Sequence, residues 1–139
     1  MFIKSISISF FIFFAIPTFS QSKYSYEQLK NQPLITKDNA SKIITYKNTP
    51  ESVVTYFYAS KIREDNLWNQ VIDPSTNLED YEKWKFLKFQ ILGKTKLDTN
   101  RVWIKIVVEI EYKGEKDSET DEVEVKLING KWVIMRVPH

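Results

Sequence analysis

The sequence contains no cysteine, only three glycines, and a single histidine, His139, at its last position. Without cysteine there are no disulfides, no thiol nucleophile, and no site for lipidation at an N-terminal cysteine. Three glycines leave no GxGxxG or P-loop pattern to cradle a phosphate. One histidine at a fraying terminus leaves no histidine pair for a metal and no His–Asp dyad inside a domain. An excess of charge of one sign is also lacking. Lys and Arg number 20 against 18 Asp and Glu. Such a near-neutral chain has no steering field for nucleic acid or for an anionic membrane.

Long apolar runs are missing everywhere except at the N-terminus. There Lys4 precedes a run from Ile6 to Ile16 rich in Phe and Ile, followed by Pro17, Thr18 and Ser20. A positive n-region, an apolar h-region and small residues before a cut make a secretory signal peptide. The run is shorter than the ~20 residues a spanning helix needs. Residues 1–20 are therefore expected to be removed near Ser20, leaving a mature chain that starts at Gln21 in the periplasm or outside the cell. Losing Lys4 leaves 19 basic against 18 acidic side chains, with no membrane span.

The mature chain has a length that suits one domain. Residues 21–48 are polar, broken by Pro33, and read as a partly ordered lead-in segment. Thr49-Pro50-Glu51 is a helix start, with a capping hydroxyl, a proline where the missing N–H costs nothing, and an acid near the positive helix end. Val53, Val54, Phe57, Tyr58 and Ile62 then recur at helical spacing, predicting a helix over 50–63. Leu67, Trp68, Val71 and Ile72 suggest a second short helix. Leu78, Tyr81 and Trp84 suggest a third, starting at Ser75 or Asn77.

Beyond Trp84 the period changes to two. Leu87, Phe89 and Ile91 alternate with Lys88 and Gln90, and Gly93 marks a bulge or bend. Val102, Ile104, Ile106, Val108, Ile110 and Tyr112 share one face of a long strand. Its other face runs from Trp103 to Glu111 and turns from apolar to charged. Asn129-Gly130 is a strong hairpin signal. It would set Ile128 opposite Lys131, Leu127 opposite Trp132, Val125 opposite Ile134 and Glu124 opposite Met135.

The helix TPESVVTYFYASKIREDN, the shorter WNQVI, the YEKWKF transition and the ending VEVKLINGKWVIMRV resemble the NTF2-like superfamily, over residues 49–138. The resemblance is greatest to small exported bacterial members of unassigned activity. It implies an α+β fold, with N-terminal helices packed on a strongly curved antiparallel sheet of three to four or more strands, forming a cone. A cystatin-like domain, which also wraps a curved sheet around helices, is the runner-up. Residues 49–139 would form the domain.

In enzymes of that superfamily the cone holds an Asp, Tyr or His as acid or base. No internal histidine exists here, so the candidate bases are Asp65, Asp73, Asp80 and the pair Glu109 and Glu111. The aspartates read as caps and turns, and the glutamates as the wet half of a strand. Glu115 to Glu124 is an acidic stretch that protects an edge or docks a basic partner. Tyr58, Tyr81, Trp84, Trp103 and Trp132 are the candidate pocket or interface residues. Trp103 needs a cover on its face, from the N-terminal segment, a ligand or a second copy of the chain. The expectation is a non-catalytic exported binding or protein-interaction domain, needing no cofactor. Its partner would be a second copy through the outer sheet face, another exported protein, or a small apolar ligand. The alternatives are a small isomerase or hydrolase using carboxylate and tyrosine groups, and a structural or immunity-like protein.

Overall fold

The computed structural model describes residues 25–138. Residues 1–24, with the expected signal peptide 1–20, and His139 lie outside them. In chain order the elements are β1 (Glu27–Gln28), β2 (Ile35–Thr36), a short helix α1 (Lys37–Ala40), the main helix α2 (Pro50–Arg63), two 3-10 turns (Leu67–Val71 and Asp80–Glu82), then β3 (Lys85–Asp98), β4 (Arg101–Tyr112), β5 (Glu115–Ile128) and β6 (Lys131–Arg136). The strands form one antiparallel sheet in the order β1-β3-β4-β5-β6, with β2 also on β3.

Helix α2 forms as its sequence dictates. Thr49 accepts from the Ser52 N–H at 3.1 Å, Pro50 opens the helix, and Glu64 closes it in the left-handed region at φ 67°. Its apolar side buries Val53, Val54, Phe57, Tyr58 and Ile62 against the sheet. The expected third helix is reduced to the 3-10 turn at Asp80–Glu82. Two polar side chains explain this by competing for the backbone. Asp73 accepts from the Ser75 N–H at 3.0 Å, and Asn77 from the Glu79 N–H at 3.0 Å.

The strongly curved cone is not found. The sheet is open and not strongly curled, which also counts against the runner-up, since it needed the same curvature. The reason lies in the centre of the sheet. Strands bend at bulges and glycines. The β4–β5 ladder runs without a register shift from Arg101 opposite Lys126 to Tyr112 opposite Glu115, and neither strand contains a glycine. Bulges occur only on the flanking ladders, three on β3–β4 and one on β5–β6.

Those bulges also alter two details of the sequence reading. The shift between Phe86 and Lys88 brings Phe86 into the buried set with Phe89 and Ile91, while Leu87 is half-buried. At the final hairpin Asn129 and Gly130 take φ values of 53° and 79°, and Ile128, Leu127 and Val125 face Lys131, Trp132 and Ile134 as the turn chemistry requires. The bulge between Glu124 and Val125 then sets Glu124 opposite Arg136 instead of Met135.

Gly93 has a second role besides its bulge. A Cβ there would stand 2.7 Å from the Glu27 carbonyl oxygen, so β1 can lie on β3 only over a glycine. Gly93→Ala is expected to lift β1 away while leaving the core intact. The Leu29 amide, which donates to the Leu92 carbonyl at 3.2 Å, should then exchange its hydrogen at least about tenfold faster. Unchanged protection at Leu29 would refute this.

Candidate functional site

The space between α2 and the sheet is filled by aromatic rings. Tyr58 is fully buried and stacks on Phe89, with ring centres 4.5 Å apart and planes 11° apart. Phe57 stands edge-on to Tyr58 at 4.9 Å. Tyr81 packs against Phe86 at 4.9 Å and Trp84 at 5.3 Å. The two phenol oxygens of Tyr58 and Tyr81 lie 2.7 Å apart, each satisfying the other where water does not reach. Burial pushes both phenols above their ordinary pKa, and the nearby charge of Asp121 adds to the effect. Both therefore stay protonated at any physiological pH.

Tyr58, Tyr81 and Trp84 thus come together in one cluster. Trp103 and Trp132 do not join it. Trp132 lies half-buried on the final hairpin, where its backbone N–H donates to the Asn48 Oδ1 at 3.0 Å. Trp103 sits on the opposite sheet face and is 9 % exposed. Its cover comes from its own chain. The Arg136 guanidinium stands 5.0 Å from the ring centre, and Val137 and Pro138 border the same spot.

The carboxylates singled out as candidate bases lie apart from the tyrosine pair. Glu109 faces Lys88 across the ladder at 3.6 Å. Glu111 pairs in register with Lys85 and Lys116. Asp73 bonds Ser75, and the Ser75 hydroxyl and N–H hold its carboxyl below the usual range. Asp80 opens the short 3-10 turn. Asp65 binds Arg63 at 2.6 Å. The carboxylates whose charge reaches Tyr81 are Asp121 and Glu119, on β5. The alternation of the acidic stretch carries that information, because Asp117, Glu119 and Asp121 continue the inward row of Val123 and Val125. Among the described residues no group of three acidic or histidine side chains is arranged to hold a metal ion. Nor is any helix among them long and apolar enough to cross a membrane.

No family model matches the chain. No curated protein matches it either. Its fold is similar to that of a SEC-C motif containing protein from Rhodopseudomonas palustris, with a TM-score of 0.52 and 16 % identity, over 72 % of this chain and 85 % of that one. At that identity the likeness is one of fold alone. An Ntf2 like protein involved in plasmid conjugation aligns with a TM-score of 0.45 and 12 % identity, over 86 % of this chain and 46 % of the other. This chain spans less than half of that protein, and a likeness so loose carries no argument.

Among the described residues, open grooves lie around the filled interior. One of about 620 Å³ runs between Gln28, Leu29, Gln32, Gln90 and Lys105. A second of about 470 Å³ lies between Pro33, Ile43, Tyr46 and the start of α2. Neither is lined by Tyr58 or Tyr81.

Three features escaped the sequence reading: Arg63 as a hub, Phe86 as a core ring, and the half of β5 that β6 does not reach. Strand β6 pairs with β5 only from Glu124 to Ile128, whereas β4 pairs with it back to Glu115. The signal for this was present in the lengths. Six residues after the turn cannot cover a strand of fourteen.

Proposed function

We propose that this chain is an exported, non-catalytic protein-binding domain of NTF2-like layout. The observation that supports this most is the filled interior. In this layout a small ligand or substrate would occupy the space between helix and sheet, and here Tyr58, Tyr81, Phe86 and Phe89 occupy it. A ligand pocket typically needs a few hundred Å³ of enclosed, mostly apolar space. With the inside closed, recognition falls to the outer surface, and to a macromolecule. The apolar run after Lys4 and the small residues before Gln21 support export.

The test has two arms. Mass spectrometry of the chain recovered from the periplasm or medium is expected to find an N-terminus at Gln21. The apolar dye anilinonaphthalene sulfonate is expected to stay dark with the native protein and to brighten with Tyr81→Ala, which opens the interior. Bright, saturable dye binding by the native protein would instead favour a small-ligand site. Retention of residues 1–20 in a cytoplasmic chain would refute export.

A further inference from the structure

We propose that the groove between the N-terminal segment and the face of β3 and β4 turned away from α2 binds a short oligosaccharide. This goes beyond the protein-binding reading and does not depend on it.

The groove has two walls. One is the segment from Tyr26 to Gln32, and the other is residues 90–93 of β3 with Lys105 of β4. Lys105 follows Trp103 by two residues and so shares its sheet face. The first wall is tied down along its length. Tyr26 donates its hydroxyl to the Glu122 carboxylate, and its ring centre lies 5.5 Å from the Lys105 ammonium. Glu27 and Gln28 pair with Lys94 and Gly93. The Leu29 N–H donates to the Leu92 carbonyl at 3.2 Å, and the Gln90 Nε2 to the Gln32 carbonyl at 3.0 Å. Between these last two anchors Asn31 takes φ 62°, a left-handed conformation that asparagine tolerates. A groove held this way exists before a ligand arrives, so binding has little chain left to order. Its volume of about 620 Å³ falls in the range of small-ligand sites.

The chemistry of the lining selects the ligand. Gln28, Asn31, Gln32 and Gln90 bring four carboxamides and Lys105 one ammonium, with no carboxylate among the described lining residues. A carboxamide sets a donor and an acceptor side by side in one plane. Adjacent hydroxyls on a sugar ring offer the matching acceptor and donor. Gln28 and Asn31 are exposed, so their carboxamides exchange only water for such a ligand. Leu29 and Leu92, both half-buried, give the C–H face of a sugar ring an apolar surface. Other ligands fit less well. A peptide strand needs the main-chain groups of the β3 edge, and β1 and Leu29 already take them at Gly93 and Leu92. An apolar ligand would strip water from the carboxamides and return nothing. One ammonium makes no field for nucleic acid, and a cation finds no carboxylate here.

The probes are cellotriose, maltotriose and triacetylchitotriose, each titrated into the purified, isotope-labelled chain and followed by NMR. They present β-linked, α-linked and acetamido-bearing rings. At least one is expected to shift the side-chain amide signals of Gln28, Asn31 and Gln32 saturably, with a Kd of about 1 mM or tighter. Sorbitol, which carries adjacent hydroxyls on a flexible chain, should bind at least about tenfold more weakly. The double variant Gln28→Ala, Asn31→Gly removes the two exposed carboxamides and keeps a residue that accepts φ 62°. It should bind the tightest trisaccharide at least about tenfold more weakly, with hydrogen exchange at the Leu29 amide unchanged. The titrations of the native chain stand even if the variant fails to fold, and the protein-binding reading, which rests on the filled interior, stands whatever they show. No saturable shift with any of the trisaccharides at about 10 mM overturns the proposal, as does equal binding by sorbitol or undiminished binding by the double variant.

Discussion

Tyr58→Ala is expected to destabilise the domain by about 3–5 kcal/mol, the range for deleting a buried aromatic side chain. The whole ring is lost from a site of zero exposure, stacked on Phe89 and in contact with Phe57, Phe86 and Tyr81. The surrounding rings are held by both the helix and the sheet, so the site has little freedom to collapse. The loss also leaves the Tyr81 hydroxyl without its 2.7 Å partner. A domain of this size has roughly 5–15 kcal/mol in total, so the variant would be near its threshold. Urea unfolding followed by tryptophan fluorescence measures the change.

The polar share of that loss can be separated. Tyr58→Phe keeps the ring and deletes the hydroxyl, stranding the Tyr81 oxygen in a dry site at a cost of about 1–3 kcal/mol. Tyr81→Phe should cost a similar amount for the mirrored reason. The double variant leaves neither oxygen stranded and should lose clearly less than the sum of the two. Strict additivity would show that the hydroxyls do not depend on each other, and would undo the description of a closed, mutually satisfied pair.

Much of this core was legible in the residues, and the parts that were not share a cause. Helix α2 announced itself through Thr49, Pro50 and the three-four spacing from Val53 to Ile62, because caps and periodicity are local. The final hairpin was legible through Asn129-Gly130 for the same reason. Tyr58, Tyr81 and Trp84 could be named as a group, but whether they line a hollow or fill it depends on Phe86, and Phe86 reaches the interior only through a bulge that alternation does not foresee. The curvature was misjudged because it is a property of the whole ladder. The resemblance implied a cone, yet bending needs devices, and the paired strands β4 and β5 have neither glycine nor bulge along their contact. Trp103 looked uncovered because Arg136 lies far from it in sequence and meets it only when β6 folds back.

Arg63 is the residue that sequence reasoning passed over entirely, and its replacement carries the second large effect. Arg63→Met is expected to cost about 2–3 kcal/mol, in line with the loss of several hydrogen bonds to a charged group. Its Nη1 donates to the Ala40 and Ile43 carbonyls at 2.6 and 2.8 Å, and its Nε to Asp65 at 2.6 Å. Asp65 in turn accepts from the Ser60 hydroxyl and, at 3.0 Å, from the Leu67 N–H, while Ser60 accepts from the Trp68 N–H at 2.9 Å. One guanidinium therefore joins the segment after α1 to the end of α2 and to the turn that follows. Methionine retains the stem and removes the knot, so exchange at the Ile43 amide should rise more than exchange in β4. Acid provides an independent check. Burial acts to raise the Asp65 carboxyl, but hydrogen bonds from Arg63, Ser60 and Leu67 outweigh it and hold the pKa below the ordinary value. A carboxylate depressed in the folded state adds stability above its unfolded pKa, and that share is lost as pH falls through the folded one. Asp65→Asn should thus be less stable than the native chain at neutral pH, and the gap should close in strong acid. A gap that persists after Asp65 is protonated would place its origin in packing, and the ion pair would no longer account for how the lead-in segment is held.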